Sequence, residues 1–266
     1  MPTAPVPPRV TVQPLYALAG LFVGILVGMT GVGGGSLMTP LLVLLFGFHP
    51  SVAVGTDLLY AAATKSVGSF VHGVRGSVDW RIVARLGAGS VPAAILSLAI
   101  LSRIGPPSDA ASTLMKSVLG VALLLTAITL FARGRITAWS QHRPDVGART
   151  TAVLTLILGV VVGAAVTFSS VGAGAIGATA LIMLYPRLPL DRIVGSDIAH
   201  AVPLTLISGL GHWYLGQVDF SLLTSLLAGS IPGIVIGSLL ASRVGDRILR
   251  PVIATVLVIV GCMLIS

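Results

Sequence analysis

The chain is written twice. Asp57 and Asp197 stand 140 residues apart, and around them the same pattern returns at the same distance. Gly55-Thr56-Asp57 reappears as Gly195-Ser196-Asp197, and Val78-Asp79-Trp80 as Val218-Asp219-Phe220. Gly89-Ser90-Val91-Pro92 returns as Gly229-Ser230-Ile231-Pro232, and Ser102-Arg103 as Ser242-Arg243. His72 pairs with His212 and Gly76 with Gly216, while Val32-Gly33 matches Val171-Gly172 one residue closer. So many matches at one offset mark a duplication, and a duplicated chain is expected to fold as two like halves.

The solvent of those halves follows from charge. Of 266 residues, 55% are hydrophobic and 9% charged, with a mean hydropathy of +1.02. A soluble domain of this size needs more charge, so the chain reads as an all-α polytopic membrane protein. Ten apolar stretches run roughly over 15–30, 35–47, 51–72, 81–101, 112–131, 150–168, 175–185, 190–212, 220–241 and 248–265. The segment 1–14 is Pro-rich and is expected to be a disordered lead-in. Residues 15–132 form the first membrane repeat, 133–149 a basic cytoplasmic linker, and 150–266 the second repeat. The net charge of +8 is no nucleic-acid footprint, because the basic residues fall mostly between apolar stretches, where they set orientation. Cys262 is the single cysteine, so no intrachain disulfide is possible. No phosphate-binding loop, nucleophile elbow, zinc-protease helix or cysteine cluster occurs, so neither an enzyme nor a resident cofactor is expected.

Each half carries a glycine-rich interruption. The first is Thr30-Gly31-Val32-Gly33-Gly34-Gly35-Ser36 and the second Ser169-Ser170-Val171-Gly172-Ala173-Gly174-Ala175-Ile176-Gly177. Each glycine costs a helix about 1 kcal/mol relative to Ala, so these runs predict broken or re-entrant helices. In lipid, unwound backbone survives only where protein buries it or where it lines a polar hollow. One reading is an anion site, in which free N–H groups and the positive end of a following short helix attract negative charge. Its candidate binding residues are Gly33, Gly34, Gly35, Ser36, Thr39, Ser169, Ser170, Gly172 and Gly174. The other reading is close helix packing through small residues.

If each interruption returns the chain to the side it came from, each half has an odd number of crossings and the repeats are inverted. With 133–149 in the cytoplasm, Arg75, Arg81, Arg187, Arg192, Arg243, Arg247 and Arg250 then face the cytoplasm too. Both termini then lie outside. Inverted repeats with interrupted helices place a ligand near the midplane between the halves.

Few charged groups lie inside the apolar stretches. Asp57 and Asp197 either fix an unwound backbone, as a cap or hydrogen-bond acceptor, or act in gating or proton coupling. At about 100° per residue, Asp57, Lys65 and His72 fall within roughly 80° of one another on one helix face. The matching segment carries Asp197, His200 and His212, with Thr205 in place of the lysine. Lys65 either neutralises a bound anion or pairs with an aspartate of the other half. His72 and His212 are either interfacial residues or a proton relay. Arg103 and Arg243 read as topology anchors, and Pro92 and Pro232 as kinks.

Gly31-Val32-Gly33-Gly34-Gly35, then Pro40, then Gly55-Thr56, in a duplicated membrane chain, resembles the sulfite exporter TauE/SafE family over residues 15–266. The resemblance implies a plasma-membrane permease for a sulfur-containing anion such as sulfite, thiosulfate or an organosulfonate. Transport is expected to be secondary, by alternating access, with export as the family's namesake direction, protons as the candidate coupling ion, a small anion and the bilayer as partners and no nucleic acid. An anion channel or a carboxylate permease using the same interruptions is the alternative.

Overall fold

The computed structural model describes residues 12–30, 35–74, 76–104, 109–140, 142, 147–240 and 246–265. Among them every regular element is helical: α1 (Pro14–Thr30), α2 (Gly35–Leu44), α3 (Pro50–Val74), α4 (Trp80–Ile104) and α5 (Asp109–Ser140) in the first half. The second half holds α6 (Ala148–Ser169), α7 (Ala175–Leu184), α8 (Leu190–Tyr214), α9 (Phe220–Leu240) and α10 (Asp246–Ile265). Five helices among the described residues, α4, α5, α6, α8 and α9, are long and apolar enough to cross a membrane. In contrast, α2 and α7 have ten residues each. At 1.5 Å per residue they reach about 15 Å, half the hydrocarbon thickness.

Local chemistry explains the boundaries. Pro50 opens α3 and Pro189 precedes α8, where a proline costs no helical hydrogen bond. Asp79 caps α4, its Oδ1 accepting the N–H groups of Arg81 at 3.0 Å and Ile82 at 3.4 Å. Asp219 caps α9 in the same way, accepting from Ser221 and Leu222 at 2.9 Å. The capping role considered for Asp57 and Asp197 thus belongs to a different matched pair. Both helices start earlier, at Pro50 and Leu190, which leaves those two carboxylates about two turns inside. The helix α5 runs on to Ser140, nine residues past the apolar stretch read from the sequence. Arginine is a good helix former, so a polar run such as 133–140 does not by itself end a helix.

The packing is reciprocal between halves. Gly20, Gly24 and Gly28 of α1 lie against the backbone of Leu226, Ser230 and Ile234 of α9. Gly229, Gly233 and Gly237 answer from α9 against Ala17, Leu21 and Ile25. Contacts advance together along both helices, so α1 and α9 run parallel. The mate of this pair is α6 on α4: Gly159 lies on Leu86, Gly163 on Ser90 and Gly89 on Leu156. Small residues every four positions let the backbones touch, which is how helices associate without a hydrophobic drive between them.

The pair α3 and α8 runs antiparallel at the centre. Gly55 faces the Gln217 carbonyl and Gly195 the Ser77 carbonyl. The Asp79 N–H donates to Ser196 Oγ at 2.8 Å, and the Asp219 N–H donates to Thr56 Oγ1 at 3.1 Å. These contacts are exchanged between matched positions of α3 and α8. Side-chain placement follows lipid as solvent: Leu96, Val161 and Leu239 are exposed, while Thr56, Ser90, Thr155, Ser208 and Ser230 are buried.

Candidate functional site

The interruption between α6 and α7 is unwound. Ser170 turns left-handed at φ 60°, ψ 2°, while its N–H still bonds the Val166 carbonyl at 2.7 Å. Gly172 follows at φ 129° and Gly174 at φ 132°, ψ −100°, conformations that only glycine takes without strain. The Ser169 hydroxyl is committed to this shape. It lies 2.7 Å from the Ala165 carbonyl, and the Val171 N–H and carbonyl lie 3.2 Å from it. The chain re-enters α7 with Gly177 N–H on the Gly172 carbonyl at 3.1 Å and Ala178 N–H on the Gly174 carbonyl at 2.9 Å. The first turn of α7 keeps N–H groups that helical bonding does not use.

Residues of both halves converge on this break. Lys65 of α3 donates from Nζ to the Ala173 carbonyl at 3.1 Å. It also lies within electrostatic reach of Asp57 and Asp197. Thr39 of α2 donates its hydroxyl to Asp57 Oδ2 at 2.5 Å. Ser170 neighbours the Asp57 carboxyl from the other half, without a well-formed hydrogen bond to it. Asp197 of α8 lies against the Gly174 N–H, and its Oδ1 sits where a Cβ on Gly177 would be. Each aspartate therefore touches the short helix or break of its own half, and Lys65 joins them across the centre.

The hydrogen-bond accounting is incomplete in one place. Among the described residues, four buried side-chain polar atoms have no partner: Asp57 Oδ1, Ser170 Oγ, Asp197 Oδ1 and His200 Nδ1. Their residues are 0%, 6%, 3% and 1% exposed, so bulk water does not serve them. Leaving such an atom unpaired costs about 1–3 kcal/mol. Lys65 acts electrostatically on the two aspartates and on His200, and Ser170 neighbours Asp57. A folded interior avoids that arrangement unless something else completes it.

Other candidates lie elsewhere. His212 stands in the last turn of α8 with its side chain buried by protein. Its Nδ1 lies 2.7 Å from Gln217 Oε1 and its Nε2 lies 2.9 Å from the Thr167 carbonyl, so both nitrogens are engaged at the far end of α8. Ser36 is buried near the start of α2, which opens on Gly35. Gly33 and Gly34 fall outside the described residues, as does the side chain of His72.

Three participants were not singled out as site residues by the sequence. His200 lies one turn from Asp197, and its Nε2 lies 2.7 Å from Ser90 Oγ. Its mate at the same offset is Tyr60, whose hydroxyl lies 2.5 Å from Ser230 Oγ. The offset of 140 was the signal that could have found this pair. Arg133 of α5 acts electrostatically on Asp197, and only the unexpected length of α5 places it there.

Comparison with known proteins adds to this geometry. The family profile described as "Sulfite exporter TauE/SafE" matches residues 16–264. "Probable membrane transporter protein YjnA" of Bacillus subtilis is 39% identical over 252 residues, covering 93% of this chain and 98% of the relative. "Probable membrane transporter protein YdhB" of the same organism is 27% identical, covering 94% and 99%. An archaeal relative, "Probable membrane transporter protein MJ0441" of Methanocaldococcus jannaschii, is 25% identical, covering 95% of each chain. No solved structure matches the chain.

Proposed function

The chain belongs to the sulfite exporter TauE/SafE family, and from that membership we propose that it is a proton-coupled secondary transporter of a small sulfur-containing anion. One observation carries the reading: Lys65, bonded to the unwound stretch at Ala173, acts on three residues that keep an unpartnered buried polar atom, Asp57, Asp197 and His200. The anion sits against the 170–174 break, where N–H groups, Ser170 and Lys65 supply donors. Asp57 and Asp197 repel a bare incoming anion, so a proton enters the site together with it, carried on the anion or on a carboxylate. Thr39 holds Asp57 in place on one side, and the Gly174 N–H does so for Asp197 on the other.

Movement uses the packing described above. The α1–α9 and α4–α6 pairs are zipped through backbone contact and travel as units, while the antiparallel α3–α8 pair forms the centre they turn about. Pro92 and Pro232 lie inside α4 and α9 just beyond the serines that bond His200 and Tyr60, where each removes a helical hydrogen bond and gives a place to bend. The plasma membrane is the expected location, with both termini outside.

Purified protein in liposomes tests the reading. Labelled sulfite is expected to exchange across the membrane with saturable counterflow. Gly174→Leu, strained at φ 132°, is expected to reduce it to background. Wild-type flux equal to that of empty liposomes for sulfite, thiosulfate and sulfonates alike would overturn the proposal.

A further inference from the structure

The partner inventory of the site says which form of an anion fits it. Two acceptors, Asp57 Oδ1 and Asp197 Oδ1, wait without donors. Lys65 has one of its three N–H groups on the Ala173 carbonyl, and Ser170 Oγ is free to donate. His200 Nδ1 also lacks a partner, while Nε2 of the same ring is held by Ser90. The groups facing this place are Asp57, Tyr60 and Lys65 from α3, Thr39 from α2, Ser170 from the break, Asp197 and His200 from α8, and Arg133 from α5 acting on Asp197. The two carboxylates are balanced by Lys65 and, at Asp197, by Arg133, so the empty set carries no net charge.

A bare dianion meets that set badly. It offers acceptors only, so both carboxylate oxygens stay unpaired and are repelled as well. A ligand with oxygens on one side and a hydrogen on the other completes it. We infer that the site takes its oxyanion with one O–H still attached, as in hydrogen sulfite. That hydrogen goes to Asp197 Oδ1 or Asp57 Oδ1, and the ligand's oxygens accept from Lys65, Ser170 and His200. His200 is then a ligand contact contributed by one half only, since its mate Tyr60 has a single polar atom, already bonded to Ser230. This rests on the proposed transport of an anion and narrows it to a protonation state.

The rule that decides the test is asymmetric. A site built to hydrogen-bond a ligand O–H rejects the analogue without it far more strongly than an apolar pocket rejects a missing methyl group. Equilibrium binding to the purified full chain would be measured at pH 6 for sulfite, sulfate and methanesulfonate. Sulfite is expected to bind at least about 100-fold more tightly than either donorless anion. Between pH 6 and 8.5 its apparent affinity is expected to fall in step with the fraction of hydrogen sulfite. Asp197→Asn turns an acceptor into a donor and is expected to bring sulfate at least about tenfold closer to sulfite. Asp57→Asn serves if that variant does not fold, and the wild-type panel decides in either case. Sulfate or methanesulfonate binding within threefold of sulfite would overturn the inference while leaving anion transport standing. Absence of binding by every anion would remove the transport reading itself.

Discussion

The two halves agree where backbones touch and differ where polar side chains meet. The α1–α9 and α6–α4 contacts share Gly20/Gly159, Gly24/Gly163 and Gly229/Gly89, while Gly28, Gly233 and Gly237 have the small residues Thr167, Ala93 and Ser97 as mates. At the centre, Lys65 has Thr205 as its mate and Tyr60 has His200. A glycine pressed on a carbonyl tolerates no side chain, so close packing keeps these positions glycine or small through duplication. A group that contacts a ligand needs to be supplied once, so the second copy is free to change. Symmetry in this molecule is a property of its frame, and its chemistry is one-sided.

Substitutions in matched pairs can break or sharpen that contrast. Gly20→Leu and Gly159→Leu strike equivalent zippers and are expected to abolish folded protein to the same degree, read as monodisperse yield in detergent. Unequal losses would mean the frames are not equivalent. Lys65→Met strips the cation from between two buried carboxylates and is expected to lower flux at least about 100-fold. Thr205→Val, its mate, removes only hydroxyl bonds to carbonyls of its own helix and is expected to leave flux within threefold. His200→Tyr copies the other half and is expected to cost about tenfold in flux, the worth of about one hydrogen bond to the ligand. Tyr60→Phe loses only the Ser230 bond and is expected to cost about 1 kcal/mol in unfolding, with flux nearly unchanged. Smallest of all, Thr56→Val and Ser196→Ala remove reciprocal bonds to Asp219 and Asp79 and are expected to lower stability equally, by about 1 kcal/mol or less.

Much of the frame was legible beforehand. Most stretches read from hydropathy match a helix to within about three residues at either end, because apolar length and glycine placement dictate both. The short α7 was visible from the run at 172–177, and Asp57, Asp197, Lys65 and Ser170 stood out as polar groups in apolar surroundings. Less legible was everything set by tertiary contact. The place of His212 near a segment end is legible, but its partners Gln217 and Thr167 are not. Arg133 looked like linker because charge was read as water, although its helix carries it back toward Asp197. His200 was seen on its stripe, but an unpaired ring nitrogen is a three-dimensional fact.

The crossed zippers also govern how the protein is made. The partner of α1 is α9, which leaves the ribosome roughly two hundred residues later. Until then the glycine face of α1 has only lipid or insertion machinery against it. Neither half alone contains both members of a zipper, so each should be short-lived when produced singly and rescued when the other is supplied in trans. Biogenesis is therefore obligately late, with assembly waiting on nearly the whole polypeptide.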